Sequence, residues 1–262
     1  MFGHGSDRTA TIRPAAGFLG DWCNGQHRGL QNPGSRFDSS VPRLIRAVIF
    51  DLDGLLIDSE SAWDGGRKVL VAEHGLEWPA GATEAMLGMS SPEWSAYVHE
   101  TLGVPLAPPE ISDRVVAHVL RSYEERLPLL PGAEAAVERI AARWPLGLAS
   151  SSNREVIERV METSGWAPAF ATWVSSEEVA RGKPAPDVFV EAARRLRVDP
   201  ADAAGIEDSH NGILAARAAG LRVIAIPNHE FPPGEEALDA ADVVLDALAD
   251  LTPAVVESER GR

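Results

Sequence analysis

Cysteine is nearly absent: Cys23 stands alone among 262 residues. That excludes an internal disulfide and any multi-cysteine zinc site. Positive charge is scarce, with 24 Lys plus Arg against 39 Asp plus Glu and a formal net charge of -15. Such a field repels nucleic acid and anionic membrane surfaces, so neither is an expected partner. A site for an anionic phosphate would have to bring its own positive charge, from a metal, a lysine or a helix N-terminus. Long apolar runs are missing as well, and none approaches the ~20 residues that span a bilayer. These absences describe a soluble protein of cytoplasmic type.

The first 42 residues differ from the rest. They hold Gly3, Gly5, Gly17, Gly20, Gly25, Gly29 and Gly34 without sustained apolar periodicity. Their best apolar run, Pro14–Gly20, is short and glycine-broken, and no signal-peptide core of ~7–15 residues is visible. Residues 1–42 are therefore expected to form a disordered N-terminal extension.

From Leu44 onward strands and helices alternate. Buried-strand patterns fall at 44–50, 146–149, 172–174, 203–206, 222–226 and 242–245. Helical patterns fall at 131–140, 153–164, 187–196 and 213–219. Residues 64–127 lack strong strand signals and carry helical stretches at 63–73, 92–101 and 111–126. The order predicts an α/β fold, a doubly wound parallel sheet, with a helical insertion after the first strand.

Asp51, Asp53, Ser150, Lys183 and Asp208 each follow the carboxyl end of a successive strand or sit in the loop beyond it. That edge is where open α/β sheets bind ligands. Asp51 and Asp53 are two apart on extended chain and face the same way, and Gly54 then lets the chain turn. Paired carboxylates repel unless a cation or a shared proton intervenes, and a hard divalent ion such as Mg²⁺ resolves the conflict. Glu207 and Asp208 form a second acidic pair whose members point to opposite sides of a strand. Asp208 is the expected direct ligand, with Glu207 ligating or bracing it. Ser150, Ser151 and Ser152, just before a helix, suit an anion cradle, and the loop stiffened by Pro184 and Pro186 presents Lys183 to a phosphoryl group. Taken singly, each fragment also has an ordinary reading as a turn, a helix cap or a solvated lysine.

Asp51–Glu60 (DLDGLLIDSE), Ser150, Gly182–Asp187 (GKPAPD) and Gly205–Ser209 (GIEDS) together resemble the four motifs of the haloacid-dehalogenase-like hydrolase superfamily. The resemblance runs over residues 44–250 and is similar to the branch of phosphatases and β-phosphoglucomutases. It implies a Rossmann-like core at 43–62 and 128–252, an α-helical cap at 63–127 and a flexible tail at 253–262. It further implies that Asp51 is the nucleophile forming an aspartyl-phosphate, and that Asp53 is the general acid/base lending its backbone carbonyl to Mg²⁺. Ser150, Ser151 and Lys183 would bind the phosphoryl group, and Asp51, Asp208 and Glu207 would hold the metal.

Among activities, a dehalogenase carries no acid at position 53, and a non-catalytic binding protein would be free to lose groups that are all present here. The expected activity is therefore Mg²⁺-dependent hydrolysis of a small phosphomonoester, a sugar or other metabolite phosphate. The alternative is a sugar phosphomutase. In the mutase the cap supplies a histidine and an arginine, where alignment by motif spacing puts Trp63 and Ser91. The loop 87–93 lacks any Lys or Arg to hold a second phosphate, and a compensating cation would have to come from Arg67, Lys68 or Arg121. Glu60, Trp63, Met89, Ser90, Trp94 and Asn153 are the residues expected to line the substrate pocket. The expected partner is a small phosphorylated metabolite, and the expected state a monomer, with a weak homodimer as the alternative.

Overall fold

The computed structural model of the chain describes residues 44–86 and 89–258. The expected extension at 1–42 lies outside them. Six parallel strands form one sheet: β1 (Ala47–Phe50), β2 (Leu146–Ser150), β3 (Phe170–Ser175), β4 (Ala203–Glu207), β5 (Arg222–Ala225) and β6 (Val243–Val244). Their spatial order is β3-β2-β1-β4-β5-β6. The chain thus starts at the middle, winds outward on one side through β2 and β3, then crosses over to β4 and winds outward on the other. The reversal falls between β1 and β4, and the crevice beyond the carboxyl ends of such strands is the natural binding place.

Strands β1, β2, β4 and β5 are buried along their whole length, as expected when helices cover both faces of a parallel sheet. Alternate residues divide between two apolar cores. Val48, Phe50, Leu146 and Leu148 enter one, and Ile49, Ala149, Val174 and Val223 enter the other. The second core is built from small residues of α7 (Asp187–Leu196) and α8 (His210–Ala218), including Ala192, Ala193, Ala215 and Ala216. Gly147 in β2 lets α7 come close: a Cβ there would stand 2.9 Å from Leu196 Cδ1.

Five helices come between β1 and β2, and the first four form the helical block: α1 (Glu60–Glu73), α2 (Ala82–Met86), α3 (Ser91–Glu100) and α4 (Pro108–Glu125). Helix α4 packs against both α1 and α3. Gly66 of α1 permits that approach, since its absent Cβ would lie 3.2 Å from Val115 and 3.3 Å from His118. Trp63, Leu70, Trp94 and Val115 of this block join the first core without a break. Helices α5 (Ala133–Ala141) and α6 (Arg154–Thr163) flank β2, and α9 (Glu235–Ala240) follows β5.

The boundaries differ from the expected ones where side-chain chemistry acts locally. The first strand starts at Ala47, because Leu44 is 73% exposed and outside the ladder. Helix α8 starts at His210 rather than 213, capped by the Ser209 hydroxyl accepting from Gly212 N at 3.2 Å. The flexible tail expected at 253–262 begins instead as a short helix, α10 (Pro253–Glu257). Thr252 caps it through Val255 N at 3.3 Å, Pro253 occupies its first turn and Val256 is fully buried.

Candidate active site

The β1–β4 ladder runs one residue past β1: Asp51 N donates to Ile206 O at 2.9 Å. The backbone of Asp51 is thereby fixed against β4, whose end carries Glu207 and Asp208. The chain then turns back on itself, with Gly54 N donating to Ile57 O at 2.8 Å and Gly54 at φ +79°. Glycine is required there twice over, because a Cβ would also lie 2.3 Å from Asp208 Oδ2.

Lys183 joins the two strand ends. Its Nζ donates to Asp51 Oδ1 and to Glu207 Oε1, each at 2.5 Å, and all three side chains are buried. The other oxygen of Glu207 accepts from Asp208 N at 3.0 Å, Ser209 N at 3.2 Å and Ser209 Oγ at 3.1 Å. Glu207 thus points beneath the first turn of α8, while Asp208 points toward Gly54 and Asn228. Adjacent residues on one strand do different work, as their opposite orientation requires.

Asp53 is held by two hydroxyls, with Ser150 Oγ and Ser152 Oγ each donating to its Oδ2 at 2.8 Å. Its Oδ1 is buried and has no hydrogen-bond partner among the described residues. Asp51, Asp53, Ser151, Lys183 and Asp208 line one cavity of about 390 Å³, together with Glu60. Its remaining wall is the start of α8 and the loop after β5, including His210, Asn211, Asn228 and Phe231. A second, smaller cavity of about 60 Å³ shares Asp53, Glu60 and Ser151 and continues between Trp63, Arg67, Met89, Ser91 and Trp94.

The charges are strongly perturbed. Burial pushes the Asp51 carboxyl well above the usual range; Lys183 opposes the rise, and Glu207 and Asp53 add to it. Burial, then Glu207 and Asp51, likewise raises Asp208. Burial works against the Lys183 ammonium, yet Asp51 and Glu207 outweigh it and hold its pKa above the ordinary value. Burial raises Glu60 to about 7 against the pull of Arg67, with Asp53, Asp64 and Asp58 adding smaller increments.

Three carboxylates around one lysine leave excess negative charge in a buried place. Oxygens of Asp51, Glu207 and Asp208 lie within 4.8 Å of one another, and Asp208 Oδ1 is buried without a partner among the described residues. An all-oxygen donor set with an orphaned carboxylate oxygen fits a hard divalent cation, Mg²⁺ in preference to a softer metal.

The other expected residues divide. Ser151 reaches both cavities, whereas Ser150 lies behind Asp53 and lines neither. Glu60, Trp63, Met89 and Trp94 line the smaller cavity. Ser90 and Asn153 line neither. Ser90 Oγ and N both bond Glu93 Oε2, at 2.6 and 2.7 Å, closing a capping box on α3. Asn153 instead accepts from Ser91 Oγ at 2.5 Å and donates to Glu177 Oε1 at 2.6 Å, tying α3 to the start of α6 and to the turn after β3. Ser152, expected in an anion cradle, instead holds Asp53, and the stretch 228–233 lies outside the expected residues. The stretch follows β5, so the strand-end rule that found Asp51 and Asp208 would also have found it. Nor does the lack of Lys or Arg in the loop 87–93 leave the helical side without a cation, because Arg67 of α1 lines the smaller cavity.

The doubly wound sheet with an acid–lysine cluster at its switch point defines a hydrolase class that known relatives identify. The haloacid dehalogenase-like hydrolase family model matches residues 45–220, and the chain belongs to that family. Hexitol phosphatase B of Escherichia coli (strain K12) is 36% identical over 220 residues, covering 81% of this chain and 97% of that protein. The bifunctional riboflavin kinase/FMN phosphatase of Arabidopsis thaliana is 32% identical over 215 residues, 81% of this chain, and the chain spans 56% of that longer protein. Among solved structures, CbbY from Rhodobacter sphaeroides in complex with phosphate superposes with a TM-score of 0.74 at 26% identity, covering 82% of this chain and all of that one.

Proposed function

We propose that the protein is a Mg²⁺-dependent phosphatase acting on a small sugar or metabolite phosphomonoester through an aspartyl-phosphate on Asp51. The observation that carries this reading is the Asp51 carboxylate, clamped by Lys183 at the floor of a cavity that Asp53 and Asp208 also face. The relatedness to hexitol phosphatase B supports the substrate class.

An Asp51 oxygen attacks phosphorus, the bond from phosphorus to the ester oxygen breaks, and Asp53 gives that oxygen its proton. Asp53 then takes a proton from water, which attacks phosphorus and frees Asp51 and inorganic phosphate. The two hydroxyls on Asp53 Oδ2 fix its orientation and leave Oδ1 to carry the proton. Lys183 shifts one donor to a phosphoryl oxygen, offsetting charge that Asp51 alone would repel. Asp51, Asp208 and the Asp53 carbonyl would hold Mg²⁺, with Glu207 bracing Lys183 and the start of α8. When bound, the ion neutralises charge on the transferring group and orients it.

Release of inorganic phosphate over a panel of sugar, polyol and nucleotide monophosphates with Mg²⁺ tests the reading. Turnover by the wild type, lost in Asp51→Asn, is expected. Steady-state turnover by pure Asp51→Asn would contradict the covalent step. With β-glucose 1-phosphate and its bisphosphate, glucose 6-phosphate forming faster than phosphate is released would favour the mutase.

A further inference from the structure

Arg67 is only 3% exposed, although it carries a full charge on a helix that has an open face. Its guanidinium lies 5.9 Å over the Trp94 ring, and its Nε has no hydrogen-bond partner among the described residues. A buried guanidinium with an unused donor is costly and persists where something else satisfies it. Asp64, one nearby acid, is already taken by Lys68 at 2.5 Å and Thr83 at 2.7 Å. Glu60 shares a cavity wall with Arg67. Lys183, the other Lys or Arg on either cavity, is committed to Asp51 and Glu207.

From this we infer that Arg67 and Glu60 read the leaving group of the substrate, and that this group is an uncharged polyhydroxyl chain or ring end. The inference rests on the phosphatase reading and deepens it. The cavity thus sets the donors of one guanidinium beside the oxygens of one carboxyl group. Hydroxyl groups accept from the first and donate to the second. The rings of Trp63 and Trp94, centroids 6.0 Å apart and tilted by 59°, line the same cavity and offer apolar surface to the C–H groups between hydroxyls. A carboxylate or second phosphate would gain Arg67 but meet Glu60 and Asp53 on the same wall.

The test compares kcat and KM of the full-length wild type, Arg67→Gln and Glu60→Gln with Mg²⁺. The esters are a polyol phosphate, a carboxylate-bearing phosphate of similar length and p-nitrophenyl phosphate. Arg67→Gln should lower selectivity for the polyol ester over p-nitrophenyl phosphate by about tenfold or more, chiefly through KM, as loss of a charged hydrogen bond implies. Glu60→Gln, which keeps the cation, should shift the ratio of carboxylate ester to polyol ester about tenfold toward the carboxylate. It keeps the inference testable even if Arg67→Gln does not fold. Unchanged ratios in the variants, or a wild type that prefers the carboxylate ester, would overturn the inference and leave the phosphatase reading standing. No turnover of any ester, p-nitrophenyl phosphate included, would overturn both.

Discussion

Gly212 sits in the first turn of α8 directly over Glu207. A Cβ at that position would stand 1.8 Å from Glu207 Oε1, 2.0 Å from its carboxyl carbon and 2.1 Å from Oε2. No backbone adjustment of a few tenths of an ångström relieves such contacts, so Gly212→Ala must evict the carboxylate from its place. Glu207 is fully buried, and eviction breaks its bond from Lys183 and those from Asp208 N, Ser209 N and Ser209 Oγ. Breaking a buried ion pair on one side costs about 3–5 kcal/mol, the donors left behind included. Alanine returns up to ~1 kcal/mol of helix propensity. The balance is a destabilisation of roughly 2–4 kcal/mol, or a fall in Tm of roughly 5–15 °C for a domain of this size. Thermal unfolding of four proteins, the wild type, Gly212→Ala, Glu207→Ala and the double variant, isolates the cause. With Glu207 gone there is nothing to evict, so the double variant should be at least as stable as Glu207→Ala alone. A Gly212→Ala protein as stable as the wild type, or strictly additive effects, would refute the reasoning. Phosphate release should fall with stability in Gly212→Ala, because Lys183 loses the partner that aims it.

Glu60 gives a pH test. Its pKa in the fold, about 7, stands above the ordinary 4.5, so its stabilising contribution is complete below about 4.5 and is lost as pH rises through about 7. Between pH 4.5 and 8 the wild type should lose up to about 3 kcal/mol relative to Glu60→Gln in urea unfolding, and parallel pH curves would contradict this. Asp208→Asn should abolish turnover yet leave the metal-free protein as stable as the wild type or more so, since it removes a buried carboxylate with an orphaned oxygen. A large drop in Tm in EDTA would contradict that. Rigorous chelation of the wild type should stop phosphate release and added Mg²⁺ restore it; activity surviving chelation would count against the metal. Ser152→Ala removes one of two hydroxyls on Asp53, and kcat should fall about tenfold with KM little changed. An equal rise in KM would place Ser152 in substrate binding instead.

What the sequence made legible follows from where the physics is local. Helix α7 begins at Asp187 as read, because Pro184 and Pro186 stop any earlier start and the apolar residues then recur at helical spacing. Asp51, Lys183 and Asp208 stood out because the strand-end rule needs only strand positions, and long buried runs show those. Arg67 could be named only beside Lys68 and Arg121, because an arginine on an amphipathic helix ordinarily faces solvent, and only the packing of α1 on α3 and α4 buries it. Ser90 and Asn153 lie within a few residues of the cavity in sequence, yet Ser90 caps α3 and Asn153 bonds Ser91 and Glu177. Direction at that scale depends on rotamer and cap geometry. The last helix escaped notice although Thr252-Pro253 is a local start signal, since five residues carry too little periodicity to register.

The central claim is that hydrolysis proceeds in two displacements through Asp51. Each in-line displacement inverts phosphorus, so the stereochemical course of a phosphate ester made chiral with oxygen isotopes and sulfur tests the claim most directly. Two displacements predict overall retention of configuration at phosphorus. Inversion would mean that water attacks the substrate directly and that Asp51 is not the nucleophile.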